Sequence, residues 1–313
     1  MRILVTGAAG FIGSHLCERL LESPANQVVG LDAFLGNREL KEANLTGLRN
    51  HPRFQLVEAN LLDADLGPLL EGIDAIFHLA GMPGVRSSWG PDFDSYVFNN
   101  ILATQKLLEA CRKQPIKKFI YVSTSSVYGE KKGPVSEDAA PFPLSPYGVS
   151  KLACEFLCHV YQENENLPLV IVRYFTVYGP RQRPDMAFHR FIKCALLDRE
   201  IPIFGDGRQS RDFTYIDDCT AATASVLYAE QVIGETINIG GKERASVLDI
   251  IGLIEKLLNK KLRLNFSDKP KGEPRKTSAK LDKAKKLLSY QPKVSLEMGL
   301  AKEIDYFKKL YRK

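Results

Sequence analysis

The chain has 313 residues, 44% of them hydrophobic and 26% charged, a composition that gives a globular protein room for a large core and two lobes. Its 43 basic and 37 acidic side chains leave a net charge of +6. The excess lies in residues 260–261, 269–276 and 280–286 among Glu and Asp, the pattern of a solvated face and not of a nucleic-acid-binding stripe with stacking aromatics. No apolar run approaches the roughly 18 residues of a membrane span, so no membrane partner is expected. The six cysteines (17, 111, 154, 158, 194 and 219) form no CxxC, so neither a zinc site nor any other metal is expected. Cys154 and Cys158 share a helical face and read as core residues. With no charged leader ahead of Ile3-Leu4-Val5, a reduced, cytoplasmic setting is expected.

The first predicted strand, 3–6, runs into Gly7-Ala8-Ala9-Gly10-Phe11-Ile12-Gly13, spaced G-x-x-G-x-x-G. Glycines here permit a tight turn, close backbone approach to a pyrophosphate, and close packing of helix on strand. The helix that begins near Phe11 and continues through 14–21 aims the amides of Phe11, Ile12 and Gly13 at such an anion. The second strand, 27–31, ends at Asp32, where a carboxylate binds a ribose diol and repels a 2′-phosphate, favouring NAD over NADP. Strands at 54–57, 75–79, 119–123 and 170–174 follow, with helices at 100–111 and 147–161. Strands separated by helices give a Rossmann-type, doubly wound parallel sheet covered on both faces. This NAD-binding domain is expected to span 1–175.

After Tyr174 the chain turns rich in Gly, Pro, Arg and Asp, with isolated helices at 188–197, 217–228, 247–258 and 296–310. A smaller C-terminal α/β lobe for substrate, 176–313, is expected, with one strand at 236–240 returning to the main sheet. A cleft between the lobes, beyond the carboxyl ends of the strands, would hold the ligand.

Two features stand at that cleft. The strand 119–123 ends in Thr124-Ser125-Ser126, which sets hydroxyls over the carboxyl edge. Tyr147 and Lys151 lie four residues apart and share a helix face. A phenol loses its proton near pH 10, and bringing that to about 7 takes roughly 4 kcal/mol at 1.36 per unit, which a fixed cation is suited to supply.

On the glycine turn, His78-Leu79-Ala80, the stretch 123–129 and the Tyr-x-x-x-Lys pair, the chain resembles the extended short-chain dehydrogenase/reductase family over nearly its whole length. The resemblance implies Tyr147 as acid/base, Lys151 lowering its pKa and holding the nicotinamide ribose, and Thr124 hydrogen-bonding the reacting hydroxyl. It also implies that Leu61, Leu79, Ala80 and Asn100 lie along the cofactor. Asn60 stands where many relatives carry Asp against adenine, and its amide oxygen is expected to accept the same hydrogen bond.

Residues 173–187 look like the substrate loop of nucleotide-sugar epimerases and dehydratases. The segments 203–207 and 211–213 look like their diphosphate clamp. Arg183 and Arg211, set in Gly/Pro loops, are expected to bind anionic groups through the planar guanidinium fork, and Arg86 joins them as a substrate ligand. Dehydratases of the family carry Asp-Glu after Thr124, decarboxylases a Glu at position 126, and many neutral-hexose epimerases an Asn at position 176. Ser125-Ser126 with Thr176 and the segment 183–187 look most like the UDP-glucuronate 4-epimerase group. Its 4-keto intermediate bears a carboxylate β to the ketone and loses carbon dioxide unless that group is held out of alignment. Ser125, Ser126, Thr176 and Arg183 are the expected cradle.

The implied cycle transfers the C4 proton to Tyr147 and hydride to NAD, turns the flat ketone, and returns both to the other face. No external redox partner is then needed. A neutral-hexose 4-epimerase or a UDP-sugar dehydratase is the alternative. A binding module without catalysis is disfavoured by the Tyr-Lys pair. The helices at 100–111 and 147–161 pair across a two-fold axis in the family, which implies a homodimer.

Overall fold

The structure is a computed structural model describing residues 1–268 and 270–311. Lys269, inside the basic run, and the two residues closing the expected second lobe lie outside the described residues. Along the first half, β1 (Arg2–Thr6), α1 (Phe11–Leu21), β2 (Gln27–Asp32), α2 (Arg38–Asn44), β3 (Phe54–Glu58), α3 (Leu66–Leu70) and β4 (Ala75–His78) lead to α4 (Phe93–Tyr96). A π-helical stretch, Val97–Leu102, joins α4 to α5 (Ala103–Cys111) and is followed by β5 (Lys118–Thr124), α6 (Pro146–Glu165) and β6 (Leu169–Tyr174). The second half comprises β7 (Val177–Tyr178), α7 (Ala187–Leu196), β8 (Ile201–Phe204), β9 (Ser210–Tyr215), α8 (Ile216–Ser225) and β10 (Thr236–Ile239). It closes with β11 (Glu243–Ser246), α9 (Val247–Leu258), β12 (Leu264–Ser267), α10 (Asp282–Leu288) and α11 (Leu296–Tyr311).

The main sheet is parallel throughout, in the order β10-β6-β5-β4-β1-β2-β3. Apart from the edge strand β3, its strands are largely buried on both faces, so successive residues feed two separate cores. Ile3, Val5, Phe77, Ile120 and Val172 face one core, with Leu16 and Leu20 of α1 and Cys219 of α8. Leu4, Ile76, Phe119, Tyr121 and Ile171 face the other, with Leu107 of α5 and Cys154 and Cys158 of α6. The sheet is the expected doubly wound, Rossmann-type arrangement. Strand order reverses at β1, which pairs with both β2 and β4. The glycine turn leaves β1 at that crevice, the place where open α/β sheets take their ligands.

β10 pairs in parallel with β6, so the strand at 236–239 joins the main sheet. The remaining short strands make two small sheets, β11-β9-β7 and β12-β8, not read from the sequence. Four residues such as Ile201–Phe204 carry too little alternation to mark a strand, and their ladders form with partners far along the chain. The expected helix at 100–111 also begins earlier: the helical path starts at Phe93, and its π-helical stretch contains Asn100.

Candidate active site

The glycine turn is built as a phosphate cradle. Gly7 has φ +73°, a left-handed conformation that glycine adopts freely. A Cβ at Gly13 would run into the carbonyl oxygen of Gly7, so only glycine lets α1 sit this close to β1. The N-cap, Gly10, offers no side-chain cap and the first turn holds no acidic residue. The amides of Phe11, Ile12 and Gly13 are thereby left for an anion. Asp32, at the end of β2, is buried and accepts from the amides of Ala9 (3.0 Å) and Phe34 (2.8 Å) and from Lys41 Nζ (2.7 Å). These residues fit a dinucleotide: backbone donors for the pyrophosphate and a fixed carboxylate at the ribose.

Thr6, His78 and Thr104 form a buried latch behind the turn. His78 Nδ1 lies 2.7 Å from the Thr6 hydroxyl and its Nε2 lies 3.0 Å from that of Thr104. The same Thr6 oxygen accepts from the Ala80 amide at 3.1 Å, which fixes the backbone of Leu79 and Ala80 against the turn. Burial first, and then the Lys151 charge, push the His78 pKa down to about 3, so the imidazole is neutral.

Two expected cofactor residues also make hydrogen bonds within the chain. Asn60 Oδ1 accepts from the Leu62 amide at 3.0 Å, closing a local turn ahead of buried Leu61. One lone pair of the oxygen expected to meet adenine is thus used, and a second remains. Asn100 is buried and braces the chain: its Oδ1 accepts from the Met82 amide (2.6 Å), while its Nδ2 donates to the Met82 carbonyl (3.1 Å) and the Ser150 hydroxyl (2.9 Å). The side chain ties the loop after β4 to α6.

Ser145 caps α6 by accepting from Gly148, and Pro146 takes the first helical position, so Tyr147 stands in the first turn at the cleft. Thr124, at the end of β5, caps the short 3₁₀ turn Ser125–Val127 through the Ser126 amide and lies 3.2 Å from the Ser126 hydroxyl. On balance the Tyr147 pKa is raised, against the expected lowering: burial lifts it, and the Arg183 charge and then a hydrogen bond with Thr124 offset only part of that. Tyr96 packs edge-on, its ring centroid 6.2 Å away. Lys151 is buried with Nζ 4.2 Å from the centroid of the Tyr121 ring, and burial lowers its own pKa. Arg183 thus acts on the phenol from the substrate loop, a cation that the helical spacing did not suggest. Four residues of α6 align two Cα positions, but the lysine's long stem carries its charge to the aromatic face behind it.

Arg183 itself forks onto Asp185 at 3.0 and 2.8 Å. Thr176 is half-buried at the head of the same segment, where its carbonyl accepts from Thr214. Ser125, like Ser126, is partly exposed. Tyr147, Thr124, Ser126 and Arg183 are thus brought to one place.

Arg86 and Arg211 meet at a second place. Glu273 joins them, 2.6 Å from Arg86 and 3.7 Å from Arg211. Phe204 receives the Arg86 guanidinium at 4.1 Å and that of Arg190 at 5.3 Å. Phe204, Arg211 and Glu273 line a cavity of about 230 Å³. Glu273, Arg190 and Tyr96 were missed from the sequence. Glu273 sits in a Pro/Lys-rich loop with no periodicity, and its pairing with Arg86 spans 187 positions.

Residues 3–240 match the family model described as the NAD dependent epimerase/dehydratase family. A crystal structure of UDP-glucuronic acid 4-epimerase from Bacillus cereus, in complex with UDP-glucuronic acid and NAD, superposes with TM-score 0.99 at 58% identity, over 99% of this chain and 100% of that one. A Bacillus subtilis protein named as an uncharacterized UDP-glucose epimerase, YtcB, is 58% identical over 100% of this chain and 99% of its own length. The UDP-glucuronate 4-epimerase of Thermodesulfobacterium geofontis is 39% identical over 97% of this chain and 95% of its own.

Proposed function

The chain belongs to the NAD-dependent epimerase/dehydratase family, and from that membership we propose that it interconverts UDP-glucuronate and UDP-galacturonate by inverting C4 of the sugar. NAD, when bound, supplies the hydride acceptor and donor that make the inversion redox-neutral. The observation that carries the choice of sugar is the setting of Tyr147: the guanidinium of Arg183 acts on the phenol, and the neighbouring positions are Ser125 and Ser126. A cation with hydroxyls suits a uronate carboxylate, and neither position 125 nor 126 carries the acid of a dehydratase.

Tyr147 removes the C4 hydroxyl proton and later returns it, with Thr124 aligning the same oxygen. Ser125, Ser126, Thr176 and Arg183 hold the carboxylate out of alignment with the adjacent ketone, which keeps carbon dioxide from leaving. Arg211 and Arg86, with Phe204, hold the nucleotide, so remote binding energy keeps the sugar in place while it turns. Gly7, Gly10, the amides of Phe11, Ile12 and Gly13, and Asp32 seat the dinucleotide.

The name of the Bacillus subtilis relative favours a second reading, a neutral UDP-hexose 4-epimerase. Incubation with UDP-glucuronate, UDP-glucose and UDP-N-acetylglucosamine, read by mass and NMR, separates the two. Selective inversion of the uronate supports the first, and preference for a neutral sugar the second.

We also propose a lobe boundary at 175/176 and a homodimer. The pairing surface would be the shared face of the π-helical stretch ahead of α5 and of α6, where Phe98 (51%), Phe156 (59%) and Val160 (55%) are exposed beside Leu102 and Val149. Among the described residues no helix is long and apolar enough to cross a membrane. The six cysteines are free, which is consistent with work in the cytoplasm.

A further inference from the structure

The loop that carries Arg183 is fastened to the helix of the cofactor turn by side chains with no role so far. After β7 the chain passes through Pro180 and Arg181. The Arg181 guanidinium forks onto the Glu18 carboxylate of α1 at 3.1 and 2.7 Å, and also donates to the Ser14 hydroxyl at 3.2 Å. Ser14 is fully buried one turn before Glu18. His15, on the same helix, places Nε2 3.0 Å from the Pro180 carbonyl, a contact in which the ring nitrogen donates. All three partners therefore come from the helix whose first amides face the phosphate cradle.

The loop backbone bends to make this contact. Arg181 adopts φ +67°, in the left-handed region where a side chain other than glycine is strained. Such a conformation persists where its surroundings fix it, and here a two-point ion pair and a buried hydroxyl do so. Arg181 is 18% exposed and Glu18 36%, so the pair is partly desolvated at the arginine end. Next along, Gln182 is buried, with Nε2 donating to the Val177 carbonyl and Oε1 accepting from the His189 amide. The chain then delivers Arg183 toward Tyr147 and runs directly into α7, which carries Arg190 to the face of Phe204.

We propose that Arg181 is a positioning residue: its clasp on Glu18 and Ser14 holds the substrate loop in register with the cofactor helix, so that Arg183 and Arg190 face the sugar nucleotide. The inference rests on the proposed function for the identity of the sugar, and on the clasp geometry alone for its effect on the nucleotide. Lysine is not equivalent at this position, since it offers one point charge where the fork makes two bonds and reaches Ser14.

The test uses the full-length protein with NAD and the variants Arg181→Gln, Glu18→Gln and the double substitution. Each single variant is expected to raise KM for UDP-glucuronate, and the calorimetric Kd for UDP, about fivefold or more, with kcat at saturation within about threefold. The double variant is expected to be no worse than the poorer single one, because both remove the same contact. Unchanged KM and Kd in the single variants overturn the proposal, as do losses that multiply in the double variant. Should a Gln variant fail to fold, Arg181→Lys decides: raised KM and Kd support the clasp, and wild-type values overturn it. A wild-type protein that binds UDP but leaves UDP-glucuronate unchanged defeats the proposed function alone, and the UDP series still settles the clasp.

Discussion

The ammonium of Lys151 stands 4.2 Å from the centroid of the Tyr121 ring, on the side of α6 that packs against the sheet. The phenol four residues before it draws its strongest opposing charge from Arg183, on the substrate loop. In the role proposed for Tyr147 the deprotonated phenol accepts the sugar proton, so activity is expected to rise with pH through its pKa. Burial raises that pKa and Arg183 lowers it. Arg183→Gln therefore moves the rising limb of kcat/KM to higher pH, measured from pH 6 to 10. A limb that stays in place would return the lowering to Lys151.

Tyr147→Phe removes only the hydroxyl, and the ring remains to pack on Tyr96. General acid–base catalysis contributes about 10²- to 10⁴-fold, so turnover falls by that much or more. The UDP Kd is expected to stay within about twofold, because the nucleotide contacts proposed above, Arg211, Arg86 and Phe204, are untouched. Calorimetry and an initial-rate assay on the same preparation check both halves.

The buried His78 makes stability depend on pH. Its folded pKa lies near 3 against an ordinary 6.5, so between those values the unfolded chain takes up a proton that the folded chain refuses. The contribution is fully present above 6.5 and is lost as the pH falls toward 3. Between pH 7.5 and 5 the loss is about 2 kcal/mol at 1.36 per unit. Urea unfolding of wild type and His78→Asn at the two pH values measures it. The variant is expected to lose correspondingly less stability on acidification, and equal losses would refute the assignment.

Glu155 of α6 and Arg173 of β6 form a bidentate pair at 3.0 and 2.6 Å, both nearly inaccessible, with Ser123 also donating to Glu155. Breaking such a pair from one side leaves a buried charge and costs about 3–5 kcal/mol. Glu155→Leu is expected to lose that much in urea unfolding. Adding Arg173→Met restores most of it, whereas additive losses would show that the charges act independently.

Most of the frame was legible because its signals are local. The glycine turn, Asp32 and the alternation of strand and helix are read within a few residues of each other, and the structure builds them as one crevice. The small sheets and Glu273 were not legible, since their partners lie many tens of residues away and short, Pro-rich segments carry no period. Asn60 and Lys151 mark a different boundary: residue type and spacing pointed to both, but the amide beside one and the aromatic face beside the other are visible only once the chain is folded.

The most direct measurement follows deuterium placed at C4 of UDP-glucuronate through turnover with the NAD-loaded protein. The account predicts UDP-galacturonate of unchanged mass with the deuterium still at C4. Label lost to solvent, or a product lighter by carbon dioxide or water, would contradict it.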